Sequence, residues 1–310
     1  MKKAKPKLSI IIPCLNASQT IGKTLQSLRE QNNKNFECIV MDGNSTDSTQ
    51  EIVQLYKDIV DVFVSENDKS GADAANKGIK ISNGDFVIFL YADDYLKENF
   101  VDEIISAIRI DKNVDYISYG LQIENLENKK IKLQSYKKKN LLSNIKNACF
   151  KHVLNHAYNK NLFNDIGRLK HLYFDNDIFY SNDREFLIRI CLHNKRNHVI
   201  EKILYIMQNH GDSFTGSRSN IIRIRYEHIG IADYYLDQKN LNEFQARTLM
   251  LFKVHNLALL FIWYLITFDL KNCFNIFVRG FKCCKGLWLY YIFSRPLAEI
   301  IYRFSVSKLI

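Results

Sequence analysis

No run of about twenty consecutive apolar residues occurs in this 310-residue chain, so no segment qualifies on length as a membrane-spanning helix. No CxxC motif pairs its seven cysteines, which lie scattered at positions 14, 38, 149, 191, 273, 283 and 284. That usage reads as reduced thiols in a protein facing the cytoplasm and excludes a disulfide framework. Internal repeats and low-complexity linkers are also missing, which leaves one large domain or one domain with a substantial appendage. A signal peptide is not expected: the opening MKKAKPK is basic, but SIIIPCLN behind it is short and meets Pro13 too soon. Disorder is excluded by composition, with 47% hydrophobic and 25% charged residues. Acidic charge is in deficit, and the net +10 calls for a polyanionic partner: nucleic acid, an anionic membrane or a phosphorylated substrate. Nucleic acid is not expected, because no binding motif appears and the aromatics do not interleave with the basic run. That run, KKIKLQSYKKK at 129–139, reads as a solvated loop or strand.

What is present concentrates at FVIFLYADD, residues 86–94, a hydrophobic run that stops on Asp93 and Asp94. Phe86 to Leu90 read as a strand buried on both faces. Adjacent carboxylates where such a strand emerges are costly unless a cation neutralises them, and an oxygen-rich anionic spot suits Mg²⁺ or Mn²⁺. A turn with a helix cap is the plainer alternative.

Upstream, LSIII (8–12) is a buried strand ended by Pro13, followed by a helix from about Thr20 to Gln31. FECIVMD (36–42) is a second strand ending on Asp42; a cap-rich loop, GNSTDST, leads to a helix near 48–57. VDVFVSE (60–66) is a third strand, and residues 72–81, then 101–110, are helical. YISYGLQI (116–123) is a further strand. Alternating strand and helix predict an α/β, Rossmann-like, mostly parallel sheet with helices on both faces. Ligands in such sheets sit beyond the carboxyl ends of the strands, where Pro13, Asp42, Glu66 and Asp93 all fall.

Five ordered blocks give the N-terminal two-thirds its resemblance to the family 2 inverting glycosyltransferases, which have the GT-A fold. They are SIIIPCLN (9–16), IVMDGNSTDST (39–49), SENDKSGADAANKGI (65–79), NGDFVIFLYADD (83–94) and SNDREFLIRI (181–190). The third looks like the subgroup that builds bacterial exopolysaccharide, capsule and O-antigen repeat units. The resemblance implies transfer of a sugar (hexosyl or N-acetylhexosaminyl) from a nucleotide-sugar, UDP-linked by expectation, to a saccharide acceptor carried on a polyprenyl diphosphate. It implies that Pro13 and Leu15 lie against the nucleotide and that Asp42 accepts from the uracil N3–H. Asp73 and Lys77, at i and i+4, border the donor; Lys77 faces its phosphate or makes a plain ion pair, and the spacing leaves both open. Asp93 and Asp94 match the last positions of the DxD-type motif for Mn²⁺ or Mg²⁺, with Tyr91 in place of its usual first aspartate. Asp183 is the candidate general base at a helix start, with Glu185 as the alternative base or an acceptor contact. His210 is a weaker candidate for the metal. Alternatives are a sugar nucleotidyltransferase, although the first loop, PCLNAS, has no glycine, or an inactive nucleotide-binding protein.

The expected division is a catalytic domain over 1–220, with a nucleotide half (1–100) and an acceptor half (101–220), and a helical, aromatic-rich region over 221–310. Residues 251–310 hold eight Lys or Arg against two acids, Asp269 and Glu299, with the apolar runs 256–268 and 286–293. Aromatics flanked by basic residues suit helices lying on an anionic bilayer, here the cytoplasmic face of the plasma membrane. Packing on the catalytic domain or a homodimer interface is the alternative use of those helices.

Overall fold

The computed structural model describes residues 7–135, 144–150, 155–166, 178, 181–209, 218–238 and 240–294. Its first half follows the sequence pattern element by element: β1 (Leu8–Cys14), α1 (Ile21–Arg29), β2 (Phe36–Asp42), α2 (Thr49–Gln54), β3 (Val62–Ser65), α3 (Gly71–Ile81) and β4 (Phe86–Phe89). These four strands are parallel, so their carboxyl ends share one edge of the sheet. Helices cover both faces, which is why β1 and β2 are continuously apolar. Ile10, Ile12 and Val40 join Ile21, Leu25 and Leu28 of α1 in the main core. On the other face α3 comes so close that a Cβ on Gly78 would stand 2.6 Å from Ile11 Cγ2, a position only glycine fills.

Pro13 does not end β1, as the sequence suggests, but lies inside it opposite Met41. The carbonyl of Ile11 accepts from Leu90 N–H, so Ile11 faces β4. Pro13, two residues on, faces the same way, where β4 has already ended at Phe89. Its missing N–H therefore costs no ladder bond.

Beyond residue 90 come β5 (Tyr95–Leu96), α4 (Phe100–Ile110), β6 (Tyr116–Asn125), β7 (Ile131–Gln134), α5 (Asn144–Phe150), β8 (His156–Asn159), α6 (Leu162–Asp165), α7 (Asn182–Leu192) and β9 (Asn197–Asn209). The sheet runs β3-β2-β1-β4-β8-β6-β9-β5, with β7 added to β6. Short β8 enters antiparallel to β4 and β6, and β9 returns parallel to β6. Neither is marked in sequence, because both are held by partners far along the chain. The basic run 129–139 is exposed edge strand where described.

The chain divides into two compact units, Met1–Ser213 and Phe214–Ile310. The second is helical: α8 (Arg218–Leu236), α9 (Glu243–Ile266) and α10 (Leu270–Ser294). Asn242 and Gln245 form a reciprocal capping box that starts α9. Ile229, Val254, Leu257, Leu260, Ile276 and Trp288 fill the core of this unit. The apolar run from 256 lies in a helix of 24 residues, long and apolar enough by composition to cross a bilayer, which corrects the length expectation. Half of its most apolar window is buried within the protein. The six cysteines whose side chains are described are free thiols, five of them buried.

Candidate active site

The loops after β1 and β2 are stitched together by short polar side chains. Asn16, at a left-handed φ of 50°, accepts from Thr46 N–H at 2.9 Å, and its own N–H donates to Ser45 Oγ at 2.8 Å. Asp47 accepts from Ser18 and Thr49 N–H, both at 3.0 Å. Leu15 projects from this rim, 57% exposed, while Pro13 is buried beneath it. Asp42 is 2% exposed and serves as the knot of the assembly. It accepts from Ser45 N–H at 3.1 Å, from Ser45 Oγ, and from Ser65 Oγ at 2.6 Å. A nucleobase N–H approaching Asp42 competes with these donors. Lys77 is likewise engaged within the chain: its ammonium pairs with Glu66 at 2.9 Å and Asp73 at 3.4 Å, and donates to the Asn67 carbonyl at 3.0 Å. The i, i+4 ion pair is thus formed.

The turn after β4 separates the two aspartates that sequence leaves equivalent. Asp94 is 2% exposed, and both of its oxygens are taken: Tyr205 Oη donates at 2.6 Å and Gln208 N–H at 2.9 Å. Thr24 Oγ1 fastens the backbone of the same turn, reaching the carbonyls of Ala92 at 2.9 Å and Asp94 at 2.8 Å. Burial, and then the neighbouring charge of Asp93, push the Asp94 carboxyl up to about 8. Asp93 is partly exposed. Tyr91, where the motif has its first aspartate, has its hydroxyl held well above the usual range by burial, then by Asp183, Asp94 and Asp93. The fold therefore brings Asp183 to the same place as the β4-end carboxylates, although 89 residues of sequence separate it from Asp94.

Asp183 sits in the first turn of α7 with Arg184 N–H donating to it at 2.7 Å. Glu185, the alternative base or acceptor contact, is instead committed within the fold. Its side chain is 1% exposed and pairs with Arg189 at 3.1 Å, itself 5% exposed, one turn along α7. Arg189→Met strands this buried anion and is expected to cost about 3–5 kcal/mol in urea unfolding. Pairing it with Glu185→Gln should restore much of that loss; an unchanged midpoint in the single variant would show that the pair is not structural.

Sequence reasoning missed Tyr205, Gln208 and Thr24, the residues that fix the Asp93–Asp94 turn. It also missed the cluster in which Tyr95 Oη and Gln122 Nε2 donate to Glu124 at 2.8 and 2.7 Å, with Lys23 over the Tyr95 ring at 4.0 Å. Only long-range pairing assembles these groups, and nothing local signals it. His210 lies outside the described residues. Among the described residues no three His, Cys, Asp or Glu side chains gather as a metal cage. Adjacent carboxylates, one of them kept from ionising by burial and then by the other's charge, nonetheless fit a divalent ion bound through one protein carboxylate and substrate phosphates. Of the two carboxylates that would hold such an ion, Asp94 is buried and Asp93 partly exposed.

The family model described as glycosyl transferase family 2 matches residues 9–167. An amylovoran biosynthesis glycosyltransferase of Erwinia amylovora is 38% identical over 105 residues, which is 32% of this chain and 35% of the relative. A GalNAc(5)-diNAcBac-PP-undecaprenol beta-1,3-glucosyltransferase of Campylobacter jejuni is 40% identical over 95 residues, 29% of this chain and 31% of the relative. The matches thus span about a third of these relatives' length. Among solved structures, S. aureus TarS 1-349 in complex with UDP-GlcNAc has a TM-score of 0.65 at 21% identity, covering 89% of this chain and 81% of that one. A Pyrobaculum calidifontis mannosyltransferase in complex with GDP-Man and Mn²⁺ has a TM-score of 0.61 at 16% identity, covering 99% and 81%. These likenesses establish the GT-A fold.

Proposed function

We propose, from the premise that this chain belongs to glycosyl transferase family 2, that it moves a hexosyl or N-acetylhexosaminyl group from a UDP-sugar to a lipid-linked saccharide, with inversion. The observation that carries this reading is the convergence of Asp93, Asp94 and Asp183 around Tyr91 at the carboxyl edge of the parallel strands. The rim formed by Leu15, Asn16 and the Asp42 loop receives the nucleotide. Asp73 and Lys77 border the donor, and Asp94, anchored by Tyr205, aims Asp93 at the diphosphate. Asp93 would hold Mn²⁺ or Mg²⁺, which would supply charge neutralisation for the diphosphate leaving group. Asp183 takes the proton of the acceptor hydroxyl as its oxygen bonds to the anomeric carbon. The bond from that carbon to the diphosphate breaks with its electron pair leaving on UDP. Inversion follows from attack opposite the leaving group.

Support for UDP comes from the TarS complex, and for a polyprenyl-diphosphate acceptor from the Campylobacter relative. A lipid-borne acceptor places the enzyme on the cytoplasmic face of the membrane, with the basic helical unit on the anionic bilayer. Incubating the full chain with a panel of nucleotide-sugars and Mn²⁺ should release UDP slowly from one UDP-sugar, and UDP with Mn²⁺ should raise the melting temperature. Exchange of pyrophosphate into a nucleoside triphosphate, or stabilisation by GDP alone, would overturn the assignment.

A further inference from the structure

The turn between α9 and α10 carries a group of apolar side chains that the helical unit leaves outside its core. Leu265 is 47% exposed, Ile266 43%, Phe268 84%, Leu270 67% and Phe274 67%. Five large apolar side chains within ten positions form a patch of the kind that marks an interaction site. Phe268 is costly twice over. It is the most exposed of the five, and its φ of 57° puts an aromatic residue in the left-handed region. Glycine or asparagine would close the same turn without either cost. Folding therefore does not account for this side chain, whereas an apolar medium outside the protein does.

Charge selects that medium. Asp269 is the one acid between 263 and 294, a span that also holds Lys271, Arg279, Lys282 and Lys285. Asp269 is committed to starting α10, accepting from Asn272 N–H at 3.1 Å and Asn272 Nδ2 at 2.8 Å. The helix N-terminus offsets its charge. Arg279 shares Asp233 with Lys253, at 3.0 and 2.5 Å, while Lys271 and Lys282 remain exposed along α10. Trp263 is partly exposed one turn before the tip, and tryptophan is enriched where proteins meet headgroups. An apolar helix turn with lysines behind it is too narrow for a broad protein interface and matches the headgroup–acyl boundary of an anionic bilayer.

We propose that the α9–α10 turn is the membrane-inserting element of this protein, with Phe268, Leu270 and Phe274 entering the acyl boundary and Lys271 and Lys282 contacting anionic headgroups. The proposal rests on the bilayer docking stated above and assigns it to particular residues. The test uses the full chain and flotation with phosphatidylglycerol-containing vesicles, beside pure phosphatidylcholine. Phe268→Asn with Leu270→Ser and Phe274→Ser is expected to weaken binding by at least about tenfold per side chain at full insertion. Asparagine at 268 keeps the left-handed turn. Leu55→Asn, at a 73% exposed position in the first unit, should change nothing. Stabilisation by UDP with Mn²⁺ should persist in the triple variant, confirming that the catalytic unit is folded. The tryptophan emission, to which the buried Trp288 adds a constant background, should shift to the blue through Trp263 on vesicle addition in the wild type but not in the variant. If the triple variant floats like the wild type, the tip is refuted while bilayer docking stands. If the wild type fails to float, docking itself falls. If the variant converts a dimer to a monomer in size-exclusion chromatography, the patch is a self-interface and the proposal is overturned.

Discussion

Asp183→Asn is expected to lower turnover by about 10²-fold or more while donor affinity changes little. The substitution keeps the size and the helix-start geometry of α7, including an oxygen for Arg184 N–H, and removes only the proton acceptor. Slow hydrolysis of the donor without acceptor should fall less than transfer, because water needs no base on the acceptor side as strictly. The stereochemistry of the product is the decisive readout. Inversion, seen in the anomeric NMR coupling, fits single displacement with Asp183 as base; retention would end that mechanism whatever the rate of the variant.

The second large effect separates two neighbouring aspartates. Asp93→Ala should abolish transfer and the Mn²⁺-dependent part of UDP stabilisation, with little change in the melting temperature of the unliganded protein. Asp94→Ala should also lose transfer, but for another reason: it leaves Tyr205 Oη and the Gln208 N–H without their carboxylate. That is expected to cost about 1–3 kcal/mol in denaturant unfolding. Full metal-dependent activity in Asp93→Ala would place the ion elsewhere. The two residues also differ in pH behaviour. The folded protein holds the Asp94 proton up to about 8, while the unfolded chain releases it near the model carboxyl value of about 4. Between those values the folded state binds the extra proton, so its stability is fullest at the acid end and falls as pH rises to about 8. Asp94→Asn should remove that slope in metal-free unfolding curves. An unaltered slope would show that Asp94 is already ionised in the fold.

Legibility in sequence followed the range of the interaction. FECIVMD reads as a strand because burial on both faces leaves a continuous apolar run, and β2 occupies those seven residues. α3 is marked at its start by Ser70, whose hydroxyl accepts from Asp73 N–H at 3.3 Å. The end of β1 was misread because proline is a breaker only where its N–H is needed, and whether β4 reaches that far is a matter of sheet register. The burial of Glu185 was not legible because an i, i+4 Glu–Arg pair looks the same in sequence whether it is solvated or buried. Nothing in HAYN or NHVIEKILYIMQN announces β8 and β9, since their partners lie in other parts of the chain.

By itself the sequence determined the parallel α/β half, the gathering of Asp42 and Asp93 at one sheet edge, the candidate base and the basic, aromatic helical unit. The sheet edge and the helical unit need only local periodicity, caps and the rule that parallel strands end together, while the candidate base rests on the family resemblance of the block that opens α7. Tertiary structure alone decided that Asp94 is buried and Asp93 partly exposed, because the hydroxyl that claims Asp94 belongs to Tyr205, 111 residues away. It alone buried Glu185 against Arg189 and left Phe268 bare at the α9–α10 turn. A carboxylate's role depends on its solvation and its partners, and both are set by how distant segments pack rather than by the residues beside it.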